Sequence, residues 1–289
     1  AYIAAIIASV SFYYVQFSGW LSNPTVTLFT LPLFFLGLLK YKEGRKWGLP
    51  ISAFFLGLTI QFELFFVYLL PTGLLAWIIL KPRFPSFNLI LISILAFMAA
   101  TSTMILTEFK FGFAGVKSIL FAGNFVGGQK QGLLELLVFF LKNRWETFYL
   151  NFFPQNSSIG TAFGMLMVSI LIINAFKNKK DRTGSLLVLL WFFSPLFMFV
   201  FGYHNAPWFF IGRPAAAILI GAYVLSKINS KFLLTSAVFL IVIANITAIG
   251  QVLEPDQYLL EPDASAITTT QLEVIDYTYK SSYGQAFEI

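Results

Sequence analysis

Glu63 is the residue whose type and place in this sequence point most directly to chemistry. It lies with Gln61 in ISAFFLGLTIQFELFFVYLLPTGLLAWIIL, a run of almost unbroken hydrocarbon from Ile51 to Leu80. A carboxylate at bilayer depth costs about 2.5 to 3.5 kcal/mol even on lenient insertion scales, so it faces a bundle interior or a wet cavity where a polar substrate can be met. The structural alternative is one tilted helix whose Glu63 is protonated or hydrogen-bonded to a neighbour. Arg213, in WFFIGRPAAAILIG, stands just inside the outer end of an apolar segment. A guanidinium suits bidentate recognition of phosphate or carboxylate, and a lipid phosphate is a natural partner. Snorkelling to the interface, or pairing with a carboxylate of the tail, would also explain it. His204, in GYHNAP, has the chemistry of a ligand-binding or acid–base residue, although a lone loop histidine commonly does neither. Glu108 and Lys110, in TEFKFGF, either touch a polar head group or simply mark a helix end. Lys142, Arg144 and Glu146 pose the same question of lipid contact against a solvated face.

Composition sets the class of protein in which these residues sit. A hydrophobic fraction of 58%, a charged fraction of 11% and a mean hydropathy of +0.78 do not belong to a soluble domain, where roughly a quarter of residues are charged. The 35 Phe and 12 Tyr residues supply aromatic belts. With no Cys there is no disulfide or thiolate metal site, and a single His excludes a multi-histidine site. The net charge of +6 is no nucleic-acid signal, because most of the bases fall in short loops between apolar runs. The sequence holds no P-loop, no GxGxxG after a strand, no HExxH and no GxSxG. Asn156-Ser157-Ser158 and Asn245-Ile246-Thr247 match a glycosylation pattern too weak to carry an argument.

The elements that must position Glu63 and Arg213 follow from hydropathy and charge. Residues 2–17 are expected to form the first span, followed by the uncharged loop FSGWLSNP, where Asn23-Pro24 signals a turn into the next helix. A second span over 25–40 ends at Lys40, Lys42, Arg45 and Lys46. A single helix over 51–80 would be about 45 Å long against a hydrocarbon core of roughly 30 Å. The spacing therefore predicts two short helices meeting near Gln61 to Phe66, with Gly57, Pro71 and Gly73 in the run and the polar pair lining a cavity at the break. Lys81 and Arg83 close that segment, and 87–106 cross outward. Residues 107–159 mix charges and glycines with short apolar runs, which suits interfacial or re-entrant helices in the outer head-group layer. Crossings over 160–176, 184–202, 208–226 and 232–250 follow, with Lys177, Lys179, Lys180, Arg182, Lys227 and Lys231 in the inner loops. The tail 251–289 carries seven carboxylates against Lys280 and is expected outside. The expectation is an all-α polytopic membrane protein of about nine transmembrane helices over 1–250, with an extracytoplasmic tail and its first residue cytoplasmic. Ala1 falls inside an apolar segment and Ile289 follows no stop-like tail, so both ends look cut, which suggests a fragment.

Several stretches resemble the membrane core of the GT-C glycosyltransferases, in the branch of the protein O-mannosyltransferases and aminoarabinose transferases. FSGWLSNPTVTLFTLPLFFLGLL followed by a basic loop and LGLTIQFELFFVYLLP is similar to that family's S-R-x-x-W-N-P and G-L-A-x-Q-x-H regions. TEFKFGFAGVKSIL resembles its F-E-L-R-H-x-F-x-N-T-K-x-I stretch, and QLEVIDYTYKSSYGQAF resembles the start of its outer soluble portion. Gly19 stands where the family has Arg, and Glu63 where it has His.

The resemblance implies a GT-C-like bundle with outer-face amphipathic helices, in the plasma (inner) membrane. It implies inverting transfer of a sugar from a polyprenyl-phosphate donor to a lipid, glycan or protein acceptor. Substrate contacts would then fall on Asn23, Gln61, Glu63, Glu108, Lys110, His204 and Arg213. The family's catalytic acid lies in the first outer loop and matches no residue here. It is expected upstream of Ala1, so this stretch is expected to be inactive alone. No cofactor is firmly implied, a divalent metal is left open, and membrane lipids but no nucleic acid are expected as partners. A transporter or flippase, using a midplane carboxylate at a broken helix, competes with this reading. So does an O-antigen ligase or polymerase, although the single Arg and absent His of 107–159 speak against it.

Overall fold

The computed structural model describes residues 1–18, 23–121, 147–197 and 213–253. All regular structure among them is helical. The first helices are α1, Tyr2–Ser9, and α2, Phe12–Ser18, followed by a 3-10 turn, Asn23–Val26. Then come α3, Thr27–Lys42, and α4, Gly48–Phe62, a 3-10 turn, Leu64–Tyr68, and α5, Leu69–Leu80. α6, Phe87–Ala100, α7, Ser102–Lys110, and α8, Ala114–Phe121, complete the first half. The second half has a helical stretch over 147–152, then α9, Ser157–Lys177, α10, Arg182–Phe193, α11, Pro214–Leu225, and α12, Lys231–Leu253.

The surface is that of a membrane protein. α9 and α12 are each long and apolar enough to cross a bilayer, with hydropathies of 2.1 and 2.4, and α6 with α7 makes a third candidate as a pair bent by 64°. Only 17% of the apolar window of α12 is buried; Phe232, Leu233, Phe239, Leu240, Ile243 and Ile246 face outward. A soluble protein does not leave a continuous apolar face of that size in water. α4, α10 and α11 are apolar but shorter, below the ~20 residues that one full crossing needs.

α11 is the centre of the bundle. Of its residues only Leu219 is exposed, and Ala216, Ala217, Ile220 and Gly221 are sealed. A helix apolar all round belongs in the interior, and α11 packs against α1, α3, α9 and α10. Around it the core is aromatic: Phe35 stacks on Trp191 with centroids 4.5 Å apart, and Phe148 lies 5.1 Å from Phe192. Small residues let the helices approach. Gly37 and Gly48 bring α3 onto α4, where Ser52 Oγ donates to the Phe34 carbonyl at 3.0 Å and Thr59 Oγ1 to Thr30 Oγ1 at 2.8 Å.

Three expected segments differ in the structure. The first span over 2–17 is broken at Val10–Ser11. Ser11 Oγ donates to Asn151 Oδ1 at 2.6 Å, and the Phe12 N–H, freed by the break, donates to Asn245 Oδ1 at 2.8 Å. Asn245 Nδ2 in turn donates to the Asn151 carbonyl at 3.1 Å. A buried backbone donor has to find an acceptor, and Asn245, far away in sequence, supplies it, while Asn151 takes the Ser11 hydroxyl. The crossing over 87–106 bends at Thr101. Part of the 107–159 region, the stretch 147–152, lies inside the bundle rather than at its surface: Thr147, Phe148, Asn151 and Phe152 are buried. Their rings occupy notches left by Gly164 and Gly221, where a side chain would collide with Phe148 and Phe152.

Candidate functional site at the broken helix

The segment 51–80 breaks where the sequence places the break, but not at Pro71 or Gly73. α4 ends at Phe62, and Glu63 is extended at φ −152°, ψ 110°. Its N–H still donates to the Thr59 carbonyl at 3.3 Å, while its own carbonyl accepts from the Phe66 N–H at 3.0 Å. That second bond closes the 3-10 turn Leu64–Tyr68. Pro71 falls in the first turn of α5, where a missing N–H is harmless. Glu63 and Gln61 are half-buried, as expected of groups at a break. Gln61 Oε1 accepts from the Met104 N–H at 3.0 Å. Met104 lies in the first turn of α7, whose leading N–H groups have no partner within the helix. Gln61 thus ties the break after α4 to the bend before α7.

Tyr68 ends the 3-10 turn that Glu63 opens. It is fully buried and shares a hydrogen bond with Ser194, at the end of α10. Arg213 is the N-cap of α11, with Pro214 in the first turn, and is also fully buried. Tyr68 and Tyr13 both lie close enough to act electrostatically on its guanidinium. This burial rules out snorkelling to the interface. The structure therefore brings Arg213 to the far end of the short turn that begins at Glu63, joining two residues 150 positions apart in the chain.

The other sequence candidates are placed differently. Glu108 Oε2 accepts from the Val116 N–H at 3.1 Å, which joins α7 to α8, and exposed Lys110 lies 5.4 Å from the Phe111 ring. Both arrangements suit the marking of a helix end. Asn23 opens the 3-10 turn before α3. His204, the cluster Lys142, Arg144 and Glu146, and nearly all of the acidic tail lie outside the described residues. The Ala1 carbonyl accepts from the Ala5 N–H at 3.1 Å in the first turn of α1. Asn245 is buried and fully engaged, so it accepts no glycan, whereas Asn156 accepts from Ile159 N–H at 2.9 Å as the cap of α9. Among the described residues no three His, Asp or Glu side chains gather as a metal site.

Sequence reasoning missed two groups. Tyr13 and Tyr68 enter the composition only as two of the twelve tyrosines; the available signal was their position within apolar runs, Tyr68 five residues after Glu63. The second group lies at the basic ends of α9, α10 and α11. There Asp181 Oδ2 accepts from Tyr223 Oη at 2.7 Å, Asn178 Nδ2 at 3.0 Å and Lys227 Nζ at 3.1 Å. Asn174 Nδ2 donates to Tyr223 Oη at 2.6 Å. The Tyr223 hydrogen bond, then Lys227, hold the Asp181 carboxyl below its ordinary range, and Asp181, then Tyr223, raise the Lys227 ammonium. A lone acid amid Lys177, Lys179, Lys180 and Arg182 was the available cue.

Comparison with protein-family models, with curated proteins and with solved structures returns no match for this chain. The function has to be argued from its own residues.

Proposed function

We propose that this chain is the membrane core of a glycosyltransferase of the GT-C type, moving a sugar from a polyprenyl-phosphate donor to an acceptor on the outer face of the membrane. The observation that carries the reading is Arg213, a cation sealed inside an apolar bundle at the end of a broken helix. Such a residue is costly unless function or a partner repays it. In the reaction the acceptor hydroxyl oxygen attacks the anomeric carbon, the bond from that carbon to the phosphate oxygen breaks, and the hydroxyl proton passes to a base. Negative charge builds on the departing lipid phosphate, and a fixed guanidinium is suited to receive it. In this reading the exposed Leu70, Leu74, Leu75 and Ile78 of α5 offer an apolar surface for the prenyl chain. No residue of this chain is assigned the base.

The buried Arg213 guanidinium lies within electrostatic reach of Tyr13 and Tyr68, and in this reading donor binding parts Tyr68 from it. The 3-10 turn Leu64–Tyr68 is the segment to move, because its hydrogen-bond geometry is poorer than that of the helices on either side. Glu63 and Gln61, at the other end of that turn, then line the sugar or acceptor cavity. In this reading short helices and long ones together make about nine crossings, with the basic loops inside and the acidic tail outside. The test is transfer of labelled sugar from a polyprenyl-phosphate donor by the full-length protein in proteoliposomes. Transfer that vanishes with Arg213→Gln supports the proposal, and full transfer by that variant refutes it.

One observation favours a transporter instead. The break at Glu63 and the 64° bend at Thr101 are bonded through Gln61 and Met104, and adjoining discontinuous helices are how many transporters build a midplane site. Substrate-driven uptake into the same vesicles without any transfer would establish that reading.

A further inference from the structure

The basic ends of α9, α10 and α11 enclose a groove of about 350 Å³ that the transfer reaction does not use. Its walls are Leu171, Val188, Leu219 and Ile220, and its rim carries Lys180, Asp181 and Tyr223. We infer that this groove is a binding site for an anionic phospholipid of the inner leaflet, its phosphate held by Lys180 and its acyl chain laid along the apolar wall.

Charge and shape choose this occupant. The helix ends and loops next to the rim carry Lys177, Lys179, Lys180, Arg182 and Lys227 against one acid, Asp181, among the described residues there. The Oδ2 of that carboxylate already takes three donors, from Tyr223, Asn178 and Lys227, and the Lys227 ammonium offsets its charge, which lowers its repulsion of an anion. Lys180 is exposed, with its backbone N–H held by Asn178 Oδ1 at 3.1 Å, so the loop is fixed while the ammonium stays available. A soluble anion would need only the rim. The groove also runs down between helices, and it contains Leu219, at 39% the one exposed residue of α11. On α9 the neighbouring Ile172, Ile173 and Phe176 face outward, so the wall continues into the lipid-facing surface. Basic pockets between transmembrane helices on the cytoplasmic side are suited to anionic head groups, and the positive-inside distribution puts this end of the bundle there.

The test is native mass spectrometry of the detergent-purified full chain titrated with phosphatidylglycerol, phosphatidylcholine or inorganic phosphate. Phosphatidylglycerol is expected to be retained about tenfold better than phosphatidylcholine, and an equal concentration of inorganic phosphate is expected to leave it in place. Lys180→Glu should weaken phosphatidylglycerol retention about twenty-five-fold, since each base near an anionic surface contributes on the order of a fivefold factor and reversal counts twice. Leu219→Trp should block the groove and lower retention of either lipid. Equal retention of the two lipids, displacement by inorganic phosphate, or unchanged retention in Lys180→Glu each overturns the assignment. Should Leu219→Trp misfold, Lys180→Glu decides alone, because its side chain stands in solvent. Helicity in lipid-free detergent reports the folding of both variants.

Discussion

Gln61 Oε1 receives the Met104 N–H at 3.0 Å, so the side chain that ends one broken segment caps the helix that begins the next. Neither discontinuity is isolated. Gln61→Leu keeps the volume and removes the acceptor, leaving a half-buried N–H exposed to hydrocarbon. We expect about 1 kcal/mol of lost stability. A spin-label distance across α4 and α7 should broaden; an unchanged distance distribution would deny Gln61 this role.

Asn245 holds the break between α1 and α2 shut. Asn245→Leu strips the Phe12 N–H of its acceptor and the Asn151 carbonyl of a donor. The cost should be about 1 to 3 kcal/mol, seen as an earlier thermal unfolding transition in detergent. Asn156→Ala, at an exposed cap, should cost about 1 kcal/mol.

Gly221 leaves room for the Phe152 ring, and an added Cβ would collide with it. Gly221→Ala is expected to lose about 1 to 3 kcal/mol through overpacking. Combined with Phe152→Leu, the loss should be smaller than the sum of the two single changes, because the two side chains share one space. Strict additivity in that double-mutant cycle would mean they do not meet.

The Asp181–Lys227 pair gives a pH dependence of definite sign. Asp181 is held below its unfolded value of about 3.9, so its contribution is present above that pH and is lost as pH falls through the lower folded value. Lys227 is raised, so its contribution is complete below its unfolded value of about 10.4 and is lost as pH rises through the higher folded one. The unfolding temperature of Asp181→Asn should therefore lie below that of the parent chain between roughly pH 5 and 9. The gap should close under strong acid. An equal gap at every pH would show that the pair contributes nothing through its charge.

What the sequence made legible follows from local rules. A carboxylate in an apolar run announced the break at Glu63, and clusters of bases located the ends of α3, α9 and α11 within a few residues. The failures all depend on contacts between distant positions. The break at Ser11 exists because Asn151 and Asn245 lie beside it, 140 and 234 positions along the chain. The burial of Phe148 and Phe152 rests on the absence of side chains at Gly164 and Gly221. Nothing near Arg213 in sequence shows that its guanidinium is buried within electrostatic reach of Tyr13 and Tyr68.

The central claim is that Arg213 holds a lipid phosphate, and binding of polyprenyl phosphate to the purified full-length protein tests it without needing the acceptor or the sugar. The account predicts saturable binding, weakened about tenfold in Arg213→Lys, which keeps the charge but loses the fork, and absent in Arg213→Gln at unchanged helicity. Equal affinity in all three proteins would contradict it.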